Sequence, residues 1–390
     1  MRLSLKKFIV FLMLLLCGHV SAETVALSED PNFIQASILT SSQSFKPQSI
    51  SGHIALRLQC QTHNLDEVFT FENNGEEFVS LVLDGAQGSM FEVEFSKYFN
   101  DLKKDGRDIK EFQLNLTLNE KARLWEVMDS LKTLPDRPFT KDSHCFSNLA
   151  EAIDIAVSPN KINWDSTDIY WNSYGENGKL FTQGLSPWNY ILIMLPLGNL
   201  ADVHGEGREY VYPAGFELSY KDFYIANRDG SSRPLIKGEP TVLLKKAYVE
   251  KPVHPTPIET AITILAVIAL VCVFQLMGKG RIVGIILDIV LWVLVTLGGI
   301  FVAVLTWAPG HFGASWNWPL LVLNPVAWIP VVILRRNREA MKWVWGCYAA
   351  ILVLFAAFMS HISPSIDPAW RLLAIALAIR CFTKFQLLHR

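Results

Sequence analysis

Charge is what this 390-residue sequence has least of: 18% of its residues are charged, against ~25% in soluble proteins. The shortage is local. Residues 251–390 hold 11 Lys/Arg and 4 Asp/Glu, whereas residues 23–250 hold 21 and 33. The formal net charge of -2 therefore hides an acidic part near -12 and a basic part near +7. A single soluble domain and a disordered chain are both excluded by this split. The acidic part has no basic stretch, which argues against nucleic-acid binding, a process that relies on neutralising phosphates. Cysteine is also scarce, with six in all. Neither paired CxxC nor HExxH occurs, so no zinc site and no cofactor are expected. Internal repeats and low-complexity segments are missing too.

What is present begins with an export signal over residues 1–22. Arg2, Lys6 and Lys7 precede the apolar run Phe8–Leu16, and Val20-Ser21-Ala22 forms a small-residue cleavage site. The long uncharged runs lie at the other end. Thr260–Gly278 is free of charge over 19 residues, enough to cross ~30 Å of hydrocarbon at ~1.5 Å per residue. Ile282–Trp307 follows with one charge, Asp288, then Trp316–Leu334, Trp343–Ser360 and Trp370–Leu388. Five spans are expected, the last with only eight clean residues, Leu372–Ile379.

Lys279 and Arg281, then Arg335, Arg336, Arg338 and Lys342, then Arg380, Lys384 and Arg390 mark one side of the membrane. The opposite connections, Ala308–Ala314 and His361–Pro368, contain no Lys or Arg. The positive-inside bias makes the basic side cytoplasmic, which puts the first domain outside, as an export signal requires. The expected organisation is a signal peptide at 1–22, an exported domain at 23–255 and a membrane domain at 256–390. Trp307, Trp316, Trp318, Trp343 and Trp370 read as interface anchors. Asp288 is the one acid inside a span and a functional candidate on that ground, though it lies roughly 10 Å along a helix from Arg281. No polar path suited to a transporter is visible.

In the exported part, Ile54, Leu56 and Leu58 alternate with His53, Ala55 and Arg57 as a strand does. Val68–Phe71 and Phe78–Leu83 read as further strands and Leu114–Leu116 as a short one. Thr117-x-x-Glu120 is a capping box opening a helix through Leu124, Trp125, Met128 and Leu131. A second helix opens near Ser143-His144-Cys145 and continues through Leu149, Ile153 and Val157. Residues 164–186 and 205–240 read as loops and turns with short strands, and Lys251–Pro257 as a stiff spacer.

Cys60 and Cys145 are the two cysteines of the exported domain. One reading joins them in a disulfide, as an oxidising compartment allows. The other pairs Cys145 with His53. A cysteine at a helix start meets unpaired N–H groups and the positive end of the dipole, which favour a thiolate. An imidazole on a strand could accept its proton and later donate it to a leaving group. The group orienting that ring would come from the neighbouring strand, as Thr70 or Glu72. His144 is a cap, a substrate contact or an alternative base.

The stretch from Ile38-Leu39-Thr40-Ser41-Ser42 to Gly52-His53-Ile54-Ala55-Leu56-Arg57-Leu58 resembles the opening block of the bacterial Lnb N-terminal periplasmic domain family, GH-x-A-L-R being its most specific piece. Asp66–Phe71, Leu114–Thr117, Ser143–Ser147 and Pro187–Tyr190 are similar to later family segments. The resemblance covers roughly residues 34–200. It implies an α+β periplasmic domain, similar in element order to circularly permuted papain-like thiol hydrolases of the NlpC type, followed by a bundle of five transmembrane helices. Carried over by position, it gives Cys145 as nucleophile and His53 as base; His144 and Ser147 are the expected substrate-binding residues. Family positions differ at Ser44-Phe45-Lys46, His144, Thr70 and Leu149. The implied setting is the bacterial inner membrane, multi-pass, with the C-terminus cytoplasmic. The expected partners are membrane lipids and an envelope substrate: peptidoglycan, a lipid or a lipoprotein. The function expected is hydrolysis of an amide or ester by a thiol; the alternative is a non-catalytic envelope binding or assembly module on the same fold.

Overall fold

The computed structural model of the chain describes residues 35–44, 52–73, 85, 87–140, 143–165, 173–181, 186–204, 213–246, 253–308, 314–334 and 336–389. The expected export signal and the expected strand Phe78–Leu83 lie outside these residues.

The N-terminal part is built on an antiparallel sheet. Its strands are β1 (Gln35–Ser41), β2 (His53–Cys60), β3 (Leu65–Asn73) and β4 (Gln87–Glu94). After helix α1 (Phe95–Lys104) comes β5 (Ile109–Gln113), then helix α2 (Leu118–Leu131), β6 (Arg137–Pro138) and helix α3 (Cys145–Val157). Beyond β7 (Lys161–Asn163) lie three short helices, α4 (Tyr174–Phe181), α5 (Pro187–Leu197) and α6 (Pro213–Ser219). The strands β8 (Tyr224–Ala226), β9 (Ser232–Pro234) and β10 (Thr241–Leu244) close this part. The large sheet runs β10-β5-β1-β2-β3-β4-β6, and β7-β8-β9 form a small second sheet.

Period-two alternation gives the large sheet two different faces. Ile38, Ile54, Leu56, Leu58, Phe69 and Phe71 pack under α2 and α3, against Leu124, Trp125, Phe146, Leu149 and Ile153. Leu39, Ala55 and Val68 face the other way, onto Tyr98 and Leu102 of α1. Fully burying one such aliphatic side chain contributes ~1.5–3 kcal/mol, so the α3 face holds most of the apolar gain. The α1 face also carries polar groups: Arg57 bonds Asp66 at 2.6 Å and Glu111 at 3.0 Å and lies 3.6 Å from the centre of the Phe95 ring.

The capping box is present: Thr117 Oγ1 accepts from the Glu120 N–H at 3.3 Å, and Glu120 accepts from the Thr117 N–H at 2.8 Å. The strand expected at Leu114–Leu116 is displaced. The strand proper is Ile109–Gln113, and Leu114 makes a single bridge to Ile236. Its polar residues hide the alternation because they are paired: Glu111 with Arg57, Lys110 with Glu217 of α6.

The C-terminal part is helical. Among the described residues, four helices are long and apolar enough to cross a membrane: α7 (Pro257–Leu276), α8 (Arg281–Trp307) and, beyond the short α9 (Trp328–Leu334), α10 (Arg338–Ile362) and α11 (Ala369–His389). The span expected over 316–334 is not one helix. It is a 3-10 turn, Trp318–Leu321, followed by α9, with Asn324-Pro325 between. Proline lacks the N–H and clashes with the preceding turn, and Pro319, Pro325 and Pro330 all fall in this stretch.

Interrupted backbone at membrane depth needs partners from the protein itself. Tyr348 donates to the Leu321 carbonyl at 3.0 Å, and Asn317 Nδ2 donates to the Leu195 carbonyl at 2.6 Å and to Thr306 Oγ1 at 3.0 Å. Gly299 of α8 allows the close approach: a Cβ there would stand 2.3 Å from the Leu323 carbonyl oxygen and 2.8 Å from Pro325.

The two parts meet at the loops without Lys or Arg. Asp202 accepts from the Ser363 hydroxyl and, at 3.0 Å, from the Ser365 N–H. Tyr190 donates to the Ser365 carbonyl, and Asn199 accepts from the Trp316 N–H at 3.0 Å. Helix α5 lays Ile191 and Leu195 into the apolar cluster of α10 and α11.

Candidate active site

His53 opens β2, directly after Gly52. That glycine has φ +83, and a Cβ on it would stand 2.8 Å from the Ser41 carbonyl oxygen, so the turn favours a residue without a side chain. Ser41 and His53 face each other across β1–β2. On the other side of β2, pairing with β3 ends at Leu56↔Phe69, although β2 continues to His53 and β3 to Asn73. The sheet is open at this end.

Thr70 and Glu72 alternate on one face of β3 and meet His53 there. His53 Nε2 is hydrogen-bonded to Thr70 Oγ1, Thr70 donates to Glu72 Oε1 at 3.0 Å, and Nε2 lies 3.7 Å from the same carboxylate oxygen. Because the Thr70 proton is directed to Glu72, its oxygen accepts from Nε2–H. The relay fixes the ring as the Nε2–H tautomer, with the lone pair on Nδ1.

Cys145 reaches the same opening from α3. His144 is the N-cap, and its N–H donates to Ser147 Oγ at 2.8 Å while its carbonyl accepts from Asn148 Nδ2 at 2.9 Å. The half-buried thiol therefore stands at the first helical position, where N–H groups lack intrahelical partners. The backbone amides of Ile54, Phe146 and Cys145 itself lie close to its sulfur and favour a negative charge there. The Ile54 amide is the peptide unit that follows His53, so thiol and imidazole share the open end of the sheet. Neither Cys60 nor Cys145 is in a disulfide. The two stand at opposite ends of the β2 pathway, His53 to Cys60 covering roughly 23 Å of strand.

The electrostatics keep the pair un-ionised at rest. Burial lowers the His53 imidazole to about 4, against the pull of Glu72 and with the help of Arg107. Burial also pushes the Cys145 thiol up to about 11, against the three backbone donors. The thiolate expected from the helix start alone is thus outweighed by desolvation.

Of the expected site residues, His53, Thr70 and Glu72 are in contact with one another, and Cys145 stands at the Ile54 amide, one residue along β2 from His53. Ser147, buried, and the backbone of His144 close the start of α3. Two neighbours were not visible in the sequence. Arg107, buried, donates to Ser41 Oγ at 2.6 Å and to the Ser42 carbonyl at 2.7 Å, tying down the strand end opposite His53. Tyr98 of α1, also buried, feels Arg107, Glu72 and Cys145. Among the described residues, no group of three or more His, Cys, Asp or Glu side chains could hold a metal ion.

The open end also connects to the membrane part. Gly52 abuts Pro213 of α6, α6 touches α4, and Gly175 of α4 lies against Ser365 between α10 and α11.

Asp288 is engaged in the membrane part. It accepts from Arg380 Nε at 2.6 Å and pairs with Lys384. Arg380 also donates to Gln275 Oε1 at 2.5 Å and to the Gly284 carbonyl at 3.0 Å.

Comparison with known proteins matches the model of the Lnb N-terminal periplasmic domain to residues 23–173 and that of the Lnb transmembrane domain (5TMH) to residues 249–390. No curated protein and no solved structure matches the chain. His53, Thr70, Glu72 and Cys145 all fall within the first match. The chain is therefore a membrane protein of the Lnb N-terminal periplasmic domain family, its periplasmic domain followed by an Lnb transmembrane domain.

Proposed function

We propose that this protein is a cysteine hydrolase anchored in the inner membrane, which cleaves an amide or ester of an envelope component. The observation that carries this reading is the His53–Thr70–Glu72 relay beside a thiol at a helix start. In this reading the Cys145 sulfur attacks the carbonyl carbon while its proton passes to His53 Nδ1. Backbone N–H groups at the start of α3 stabilise the oxyanion. The imidazolium then protonates the leaving amine or alcohol, and a thioester remains on Cys145. Water, deprotonated by His53, attacks that thioester, releases the acid and returns the thiol. The order of elements, imidazole strand before thiol helix, supports a circularly permuted papain-like domain of the NlpC type. A peptidoglycan peptide, a lipid and a lipoprotein all offer the required carbonyl.

We further take residues 23–255 as the exported domain and 256–390 as the membrane domain. The Thr256 cap that starts α7 supports this boundary. The broken segment 316–334 serves as the fifth crossing. It joins the end of α8, whose loop faces the periplasmic domain, to the start of α10, whose Arg336 and Arg338 favour the cytoplasm. The C-terminus is then cytoplasmic.

A p-nitrophenyl acyl ester tests the chemistry on the full chain in detergent. A stoichiometric burst of nitrophenol and an acyl adduct on the Cys145 peptide are expected. Both are lost in Cys145→Ala, and the burst is about 100-fold slower in His53→Ala. The strongly raised thiol favours a second reading, a non-catalytic binding or assembly module. Absence of an adduct with esters and amides alike would select it.

A further inference from the structure

A cavity of about 300 Å³ lies between α8, α9, α10 and α11, at the lower end of the ~300–1,000 Å³ range of small-molecule sites. Its walls are mostly hydrocarbon, with Leu291, Val295, Val331, Val344 and Ile351 among them. Asp288 and Arg380 stand at one end. Helical rise sets the depth of that end: Asp288 is roughly 10 Å from Arg281, and Arg380 roughly 13 Å from His389. Thr296 and Ile351, which also line the cavity, lie roughly 20 Å from the basic helix ends. The cavity thus occupies the leaflet on the basic side and runs parallel to the acyl chains there.

Charge decides which lipid fits. Arg380 uses its donors on Asp288, Gln275 and Gly284, so it fixes the end wall. Asp288 is shared by Arg380 and Lys384, which leaves this cluster one positive charge in excess. Lys384 is a quarter exposed. Around it the helix ends carry Lys279, Arg281, Arg336, Arg338 and Lys342 against the single acid Glu339. Basic pockets between helices on the cytoplasmic side favour anionic head groups.

We propose that this cavity is a binding site for an anionic phospholipid of the basic-side leaflet, with one acyl chain between α8 and α10 and the phosphate near Lys384. The site is separate from the Cys145 opening and does not depend on its activity.

Native mass spectrometry of the full-length protein, exchanged with phosphatidylglycerol or phosphatidylcholine, tests it. Wild type is expected to retain one phosphatidylglycerol, at least fivefold over phosphatidylcholine. Ala327→Trp, which fills the cavity, should cut retention at least fivefold, and Lys384→Gln should remove the head-group preference. Cys145→Ala should retain the lipid as wild type does. If Ala327→Trp fails to fold, phosphatidylglycerol with a photoreactive acyl chain is cross-linked to wild type instead, and adducts are expected on Val295, Tyr348 or Ile351. Equal retention of both lipids, unchanged retention in a folded Ala327→Trp, or cross-links confined to the outer helix faces would overturn the proposal.

Discussion

The Thr70 hydroxyl sits between His53 Nε2 and Glu72 Oε1, receiving a proton's attraction on one side and giving its own on the other. This one side chain decides which nitrogen of His53 carries the hydrogen. Thr70→Val keeps the shape and removes the relay. We expect at least a tenfold slower acyl burst, with folding retained and partial rescue by Thr70→Ser. A burst unaffected by Thr70→Val would remove the relay from the mechanism.

Stability should be greatest between pH 6.5 and 9. The folded imidazole resists protonation down to about 4, while the unfolded one takes up a proton near 6.5. Acid therefore favours the unfolded chain progressively below pH 6.5. The folded thiol keeps its proton up to about 11, so stability also falls as pH rises from 9 towards 11. Melting temperatures across pH measure both arms. His53→Gln should flatten the acid arm, and Cys145→Ala the alkaline one.

Arg380 is buried among α7, α8 and α11 with its donors in use. Breaking a buried ion pair from one side costs ~3–5 kcal/mol. Asp288→Asn or Arg380→Gln should therefore lower the melting temperature in detergent sharply. The double variant Asp288→Asn/Arg380→Gln should recover part of that loss. Full additivity of the two single effects would show that the pair is not coupled.

Gly299→Ala tests the seat of the broken segment. Its Cβ would meet the Leu323 carbonyl oxygen and Pro325, both backbone or ring atoms with little freedom. Overpacking of this kind costs ~1–3 kcal/mol, seen as a lower melting temperature. Gly298→Ala, whose Cβ would meet the Leu323 side chain at 3.1 Å, should cost less.

Much of the candidate site was legible because its signals are local. The Gly52-His53 turn leads into an alternating strand, Thr70 and Glu72 share one face of the next, and Ser143-His144 announces a helix start. Arg107 and Tyr98 were not legible. They follow from α1 and the turn after it, and only the packing of that helix on the sheet brings them near His53. The thiol's ionisation is not legible in the sequence for a similar reason. A helix start can be read from residues 143–147, but the desolvation that outweighs it comes from the strands above. In the membrane part, hydropathy alone marks residues 316–334 as a continuous span, and the chain breaks it at Asn324-Pro325. Helix α5 carries no clear polar face in its sequence, because it packs apolar residues on two sides.

The hydrogen bonds from Asp202 and Tyr190 to the turn between α10 and α11 work as a bracket rather than a hinge. A domain on a slack tether sweeps a volume; a bracketed one keeps a fixed address. Whatever the open end of the sheet cleaves or grips has to travel to a spot set by α4 and α6, within a few helix widths of the lipid surface.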